Sequence, residues 1–152
     1  QSWSDPSHAS SVEPGKRPRL TPNPAMPFRG GHVYMPFGTP GGDVQCQAML
    51  QVFLNINVFG MPVQAAVEAP RFAGYTSSGS FDPPNYYPGG LHMKKSLAEE
   101  FGEELRDMGH KVYEWDDRTW LAGAVCTIVN DRKNGVLHGG ADPRRPAYVL
   151  GW

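Results

Sequence analysis

The sequence predicts a layered α+β domain, and two observations carry that expectation. Amphipathic helix patterns occupy 43–59 and 96–108, and alternating apolar segments crowd the last third around an Asn134-Gly135 hairpin turn. At 152 residues the chain is one domain, or part of one, long enough to bury a substantial core.

Residues 1–27 are proline-rich with little apolar periodicity, and predict an extended arm on the substrate-pocket side. So long an irregular stretch points to wrapping over another part of a larger molecule, or to the border of an active site. Residues 28–152 form the remainder of a single domain that an upstream or partner chain completes. Val33, Met35 and Phe37 alternate and predict a short strand within 31–38, weakened by Pro36.

From Asp43 to Phe59, Cys46, Met49, Leu50, Phe53, Leu54 and Val58 recur at helical spacing. Gln47, Gln51 and Asn55 line another face, and Gly60 is the stop. Asp43 suits the N-cap or the first turn. A second, short helix runs from about Pro62 to Glu68, before Pro70.

The segment 71–87 reads as loop with one brief strand, and Phe81, Tyr86 and Tyr87 look exposed. In the helix 96–108, Leu97, Phe101 and Leu105 form a buried stripe, Ser96 and Glu99 have capping-box spacing, and Gly109 marks the end. Strands are predicted at 110–115, 124–130, 136–139 and 147–152.

The net charge of −1 gives no broad attraction to nucleic acid, and no apolar run reaches the roughly 18 residues of a membrane span. Cys46 and Cys126 read as two free core thiols, with no CxxC motif. His8, His32, His92, His110 and His138 show no ligand spacing, so no metal or cofactor is implied. Asp142-Pro143-Arg144-Arg145 reads as a salt-bridged turn.

The segment Phe37-Gly38-Thr39-Pro40-Gly41-Gly42-Asp43 is the richest in chemistry. Two glycines sit where an extended chain becomes helical, and there the first-turn N–H groups lack carbonyl partners. Spacing alone leaves three readings open. One is a tight turn that merely needs glycine. Another is a phosphate loop, disfavoured because no Lys-Ser/Thr follows. The third is an oxyanion hole, which needs only two preorganised N–H donors. Leu20-Thr21-Pro22-Asn23-Pro24 holds a hydroxyl and an amide rigidly between prolines, either as a stiff turn or as the wall of a polar pocket. Ser, His and Asp residues are present, but their spacing singles out no triad.

Gly15-Lys16-Arg17-Pro18, Asn23-Pro24-Ala25-Met26, Gly38-Thr39-Pro40-Gly41-Gly42, Leu50–Asn55 with Phe59-Gly60-Met61, Ala65–Phe72 and Gly139–Arg145 follow one another in order. Together they resemble the C-terminal part of the small subunit of the γ-glutamyltransferase family. The resemblance implies part of an N-terminal nucleophile hydrolase αββα sandwich. It also implies a self-cleaving precursor whose new N-terminal Thr attacks an amide carbonyl. Gly41 and Gly42 then match the paired oxyanion glycines, and Thr21 and Asn23 line the substrate pocket. The implied partners are a large subunit, the N-terminal part of the small subunit, and a small-molecule amide. Many relatives are exported, so the compartment stays open between periplasm, exterior and cytoplasm.

Three departures qualify the resemblance. Gln1 cannot serve as the nucleophile, so the chain alone is expected to be inactive. Leu20-Thr21 stands where the family has Ser-Ser; losing a donor to a buried carboxylate costs about 1.5–3 kcal/mol. Asp43 and Val44 replace Ser-Arg after the glycines, which places an acid beside an oxyanion site unless Asp43 turns away to cap the helix. The leading expectation is therefore a fragment of an amidohydrolase or acyltransferase. The alternatives are a degenerate relative serving as a binding or assembly module, and a phosphate-binding domain built on the glycine turn.

Overall fold

The computed structural model describes residues 3–81 and 83–151. Gln1 and Trp152, named in the arm, the nucleophile argument and the last strand, lie outside them. The fold is α+β and the described residues form eight strands, β1 (Phe28–Arg29), β2 (His32–Val33), β3 (Phe37–Gly38), β4 (Phe72–Gly74), β5 (Gly90–Lys94), β6 (Lys111–Trp115), β7 (Cys126–Asp131) and β8 (Val136–Ala141). Three α-helices accompany them: α1 (Gln45–Asn57), α2 (Val63–Glu68) and α3 (Lys95–Asp107).

One sheet has the order β3-β7-β8, all antiparallel. A second has the order β4-β5-β6, where β5 and β6 run parallel and α3 makes the crossover between them. A common core ties the sheets together through α1: Ala48, Met49 and Val52 meet Ala73 of β4, Trp115 of β6, and Val125 and Val129 at β7.

The predicted strand across 31–38 is broken. Tyr34 and Met35 both donate to the Pro27 carbonyl, and Pro36 has no N–H to continue a ladder. What forms instead is a two-residue hairpin, β1–β2, closed by Gly30-Gly31, and then the separate short β3. The arm returns to this point, where Ala25 and Phe37 exchange both backbone hydrogen bonds (3.0 and 2.9 Å).

The inward face of α1 is Gln45, Ala48, Met49 and Val52, rotated from the expected stripe; Leu50 and Val58 are exposed. The polar face works as a substitute strand. Gln47 donates to Gly74 O (3.0 Å) and accepts from Gly74 N–H (2.8 Å), while Gln51 does the same with Phe72 (2.8 and 3.1 Å). Two amides one helical turn apart thereby satisfy the outer edge of β4.

Further corrections have similar physical causes. Strand β5 lies between the loop 71–87 and α3, in a stretch for which the sequence predicts no element. That helix begins at Lys95, after Lys94, and no side chain caps it, so Ser96 falls inside the first turn and cannot complete a capping box. Its buried residues are Ala98 and Gly102; Phe101 is 44% exposed, so the expected stripe is only half-covered. Cys46 and Cys126 are free but exposed: Cys46 lies off the inward face of α1, and beside Cys126 the strand face that turns inward carries Val125, Thr127 and Val129. Residues 147–151 form no strand; Val149 instead lies against Gly139, where a Cβ would come within 2.1 Å of it.

Candidate functional site

After β3 the chain bends through Thr39-Pro40 into a single 3-10 turn, Gly42–Val44, which runs directly into α1. Gly41 has φ 141° and Gly42 has φ 57°, values that favour glycine. The Val44 N–H donates to the Gly41 carbonyl (3.2 Å) and the Gln45 N–H to that of Gly42. The carbonyls are thus spent within the turn, whereas the N–H groups of Gly41 and Gly42 donate to no other described residue.

The floor beneath the bend is rigid. A Cβ on Gly41 would sit 3.4 Å from the Cα of Gly123. The Thr39 hydroxyl donates to Pro40 O (2.6 Å) and accepts from the Ala124 N–H (2.7 Å). Phe81 covers Gly42 from the other side, 2.6 Å from where a Cβ would stand.

Two clefts meet at the bend. A cleft of about 540 Å³ is bounded by Gly41, Gly42, Tyr75, Phe81, Trp120 and Arg145. A smaller one, about 360 Å³, is bounded by Arg19, Thr21, Asn23, Gly42, Cys46 and Ser80. Gly42 and Asp43 border both. Three of the four expected site residues, Thr21, Asn23 and Gly42, therefore share the smaller cleft, and Gly41 faces the larger. Asn23 is held by α1, its amide donating to Cys46 Sγ (3.3 Å) and Met49 Sδ (3.6 Å).

Asp43 turns away from the glycine amides, but it caps a loop and not the helix: its carboxylate accepts from the Ser80 N–H at 2.7 Å. Ser80 Oγ in turn accepts from Arg19 Nη2 (3.1 Å). Burial raises the Tyr75 phenol pKa and the negative charge of Asp43 raises it further, so the hydroxyl stays protonated and able to donate at neutral pH. Arg145 stacks over Trp120 at 5.2 Å.

Arg19, Tyr75 and Ser80 are not singled out in the sequence, and Phe81 and Arg145 are read there only as an exposed aromatic and as part of a salt-bridged turn. Arg19 alone left a signal, a cation next to Leu20-Thr21; the others come from loops whose course no periodicity reports. Among the described residues no cluster of three or more His, Cys, Asp or Glu side chains could hold a metal ion, and no helix is long and apolar enough to cross a membrane.

Comparison with known proteins extends over nearly the whole chain. A family model described as gamma-glutamyltranspeptidase matches residues 1–152. The glutathione hydrolase-like YwrD proenzyme of Bacillus subtilis is 32% identical over 148 residues, which is 97% of this chain and 27% of that protein. The oxamate amidohydrolase proenzyme of Klebsiella pneumoniae is 32% identical over 149 residues, with the same coverage. The chain thus spans about a quarter of the length of these relatives. Among solved structures, cephalosporin acylase from Bacillus halodurans superposes with a TM-score of 0.76 at 30% identity, over 97% of this chain and 25% of that one.

Proposed function

This chain belongs to the gamma-glutamyltranspeptidase family and has the fold of its N-terminal nucleophile hydrolases, and we propose on that premise that it forms the acyl-pocket part of an amidohydrolase or acyltransferase. The observation that carries this reading is the bend at Gly41-Gly42. Two adjacent amides with no described acceptor border a cleft at the start of a helix, where the backbone dipole favours negative charge.

The nucleophile in this reading is an N-terminal Thr on a segment preceding Gln1, exposed when a precursor cleaves itself; the relatives named above are proenzymes. Its hydroxyl oxygen bonds to the amide carbonyl carbon while the α-amine takes the hydroxyl proton. The carbonyl oxygen becomes negative and accepts from Gly41 and Gly42. When the C–N bond breaks, the α-amine passes its proton to the leaving nitrogen. Water or an acceptor amine then releases the acyl group. Thr21 and Asn23 border the acyl side.

A partner segment fits a second feature. An apolar groove of about 560 Å³, bordered by Leu54, Phe59, Phe72, Leu97, Phe101 and Met108, lies open between α1, the β4–β5 edge and α3. It supports a large-subunit contact there, because exposed apolar surface of this extent marks an interaction site.

The test is expression of the complete reading frame that contains this chain. Mass spectrometry should find two polypeptides, the second beginning with Thr, and the purified pair should hydrolyse a γ-glutamyl anilide. An unprocessed precursor that cleaves no amide would instead support a degenerate relative acting in binding or assembly.

A further inference from the structure

We propose that the cleft between the β1–β2 and β7–β8 hairpins is a binding site for a small anion that carries two or more linked phosphate groups. The proposal stands apart from the acyl-pocket reading. Strand β7 starts beside Gly38, close to the glycine bend, and ends at Asp131 on the border of this cleft. The rise along β7 puts the two places about 17 Å apart. No residue that borders the clefts at the bend borders this one.

The cleft encloses about 560 Å³, a volume that suits a small molecule. Arg29 and His32 stand on one wall, and Arg132, Lys133 and His138 on the other. The whole chain carries 14 Lys and Arg against 15 Asp and Glu. Here three of those cations meet one acid, so positive charge is concentrated where the chain as a whole has none to spare. That acid, Asp131, is bonded back into the β7–β8 turn. Its Oδ1 accepts from the Asn134 N–H (3.2 Å) and its Oδ2 from the Asn134 side-chain amide (2.7 Å), with His138 Nε2 at 3.8 Å.

The site is built before a ligand arrives. The Arg29 guanidinium lies over the Tyr34 ring at 3.7 Å, and its Nη2 donates to Asn57 Oδ1 (3.1 Å). Both contacts fix its plane and so lower the ordering cost of binding. The two walls are also tied together. The Asn130 N–H donates to Tyr34 O (2.9 Å) and its side-chain amide to Val33 O (3.2 Å). The cationic hairpins therefore keep a set separation. A lone monovalent anion engages one wall, whereas linked phosphates reach both. Each terminal phosphate also offers three acceptor oxygens where a carboxylate offers two, and guanidinium groups pair with such oxygens in a bidentate way.

The experiment is equilibrium dialysis of the protein expressed from the complete reading frame against tripolyphosphate. One bound anion per chain is expected, held less tightly as salt rises. Arg29→Gln combined with Arg132→Gln should weaken binding about 10- to 100-fold. The corresponding pair of Lys substitutions, which keeps the charge and loses the fork, should recover part of it. Lys111→Gln, an exposed cation on β6 away from the cleft, should bind as the wild type does. Citrate should bind at least about 10-fold more weakly than tripolyphosphate, because its carboxylates offer fewer acceptors per group. No binding overturns the proposal, and so does an equal loss in Lys111→Gln, which would mark diffuse attraction. Equal affinity for citrate removes the phosphate assignment. A short single-stranded RNA that binds through the same residues more tightly than tripolyphosphate would make the cleft a nucleic-acid contact and overturn the small-molecule reading.

Discussion

The guanidinium of Arg71 and the carboxylate of Asp142 form a buried ion pair, 1% and 0% exposed, that clamps the loop beneath the glycine bend. Arg71 Nη1 donates to Ala122 O (2.9 Å), and Asp142 accepts from the Val125 N–H (3.3 Å). Between these two grips lie Gly123, which abuts Gly41, and Ala124, whose N–H reaches Thr39. Arg144 Nη1 completes the cluster, donating to Asp142 at 3.0 Å and to Val67 O at 3.1 Å. Burial lowers the Arg71 pKa and Asp142 opposes that shift, so the pair keeps a charge in the core that would otherwise be costly.

Removing the carboxylate alone should therefore be severe. Asp142→Ala leaves two guanidinium groups without their shared anion, and a loss of about 3–5 kcal/mol is expected, as for other broken buried pairs. The double change Arg71→Met with Asp142→Leu should cost less than the sum of the single changes. Urea unfolding of the four proteins measures this, and additive effects would contradict the clamp.

Thr39 gives a milder test of the same floor. Thr39→Val removes the acceptor of the Ala124 N–H, a residue 3% exposed. The buried donor left unpaired should lower stability by about 1–3 kcal/mol. Thr39→Ser keeps the hydroxyl and should unfold near the wild-type midpoint. In the processed enzyme, Thr39→Val should also lower kcat, by up to about 100-fold if the glycines shift by an ångström.

The features legible in the sequence were those with a period or a fixed chemistry. Both long helices, the β7–β8 hairpin and the glycine bend follow from apolar spacing, Asn134-Gly135 and Gly41-Gly42. What escaped depended on contacts distant in the chain. Strand β5 precedes a helix without a break, so His92 and Met93 carry no turn signal. Gln47 and Gln51 read only as another face of the helix, because nothing local shows that β4 needs their amides. Asp142 and Arg144 read as a local turn, since their distant partner Arg71 is visible only in three dimensions. Among the residues of the smaller cleft, Thr21 and Asn23 are marked in the sequence by their stiff proline frame, whereas Ser80 sits in a loop with no pattern at all.

His92 should make the fold sensitive to mild acid. It is ringed by aromatics: Tyr75 and Tyr113 at 4.6 Å, Tyr87 at 5.3 Å and Trp115 at 6.0 Å between ring centroids. Its Nε2 is buried without a hydrogen-bond partner in the structure, and burial lowers its pKa below the usual value of about 6.5. The unfolded chain therefore takes up this proton at higher pH than the folded one. The stabilisation is complete above about pH 6.5 and is lost as pH falls from there through the folded value. His92→Phe should flatten that part of a stability-versus-pH curve; an unchanged slope would assign the acid sensitivity elsewhere.

The oxyanion role of the bend separates from mere backbone strain by comparing two glycines with the same backbone angle. Gly42 and Gly30 both have φ 57°. Gly30 lies in the β1–β2 turn, where an added Cβ meets nothing within 4 Å. Alanine at either position should cost roughly 1–2 kcal/mol of left-handed strain. At Gly42 the Cβ also meets the Phe81 ring, which is 48% exposed and free to swing aside. Gly42→Ala keeps its N–H, but relief of the left-handed strain should turn that donor away from the developing oxyanion, so if the Gly42 amide stabilises it kcat should fall, by up to about 100- to 1000-fold for complete loss of the donor, with KM little changed. Gly30→Ala should lose comparable stability and keep its turnover. Equal kcat values in the two variants, with a crystal structure of Gly42→Ala showing the amide displaced, would show that the bend serves only to start α1.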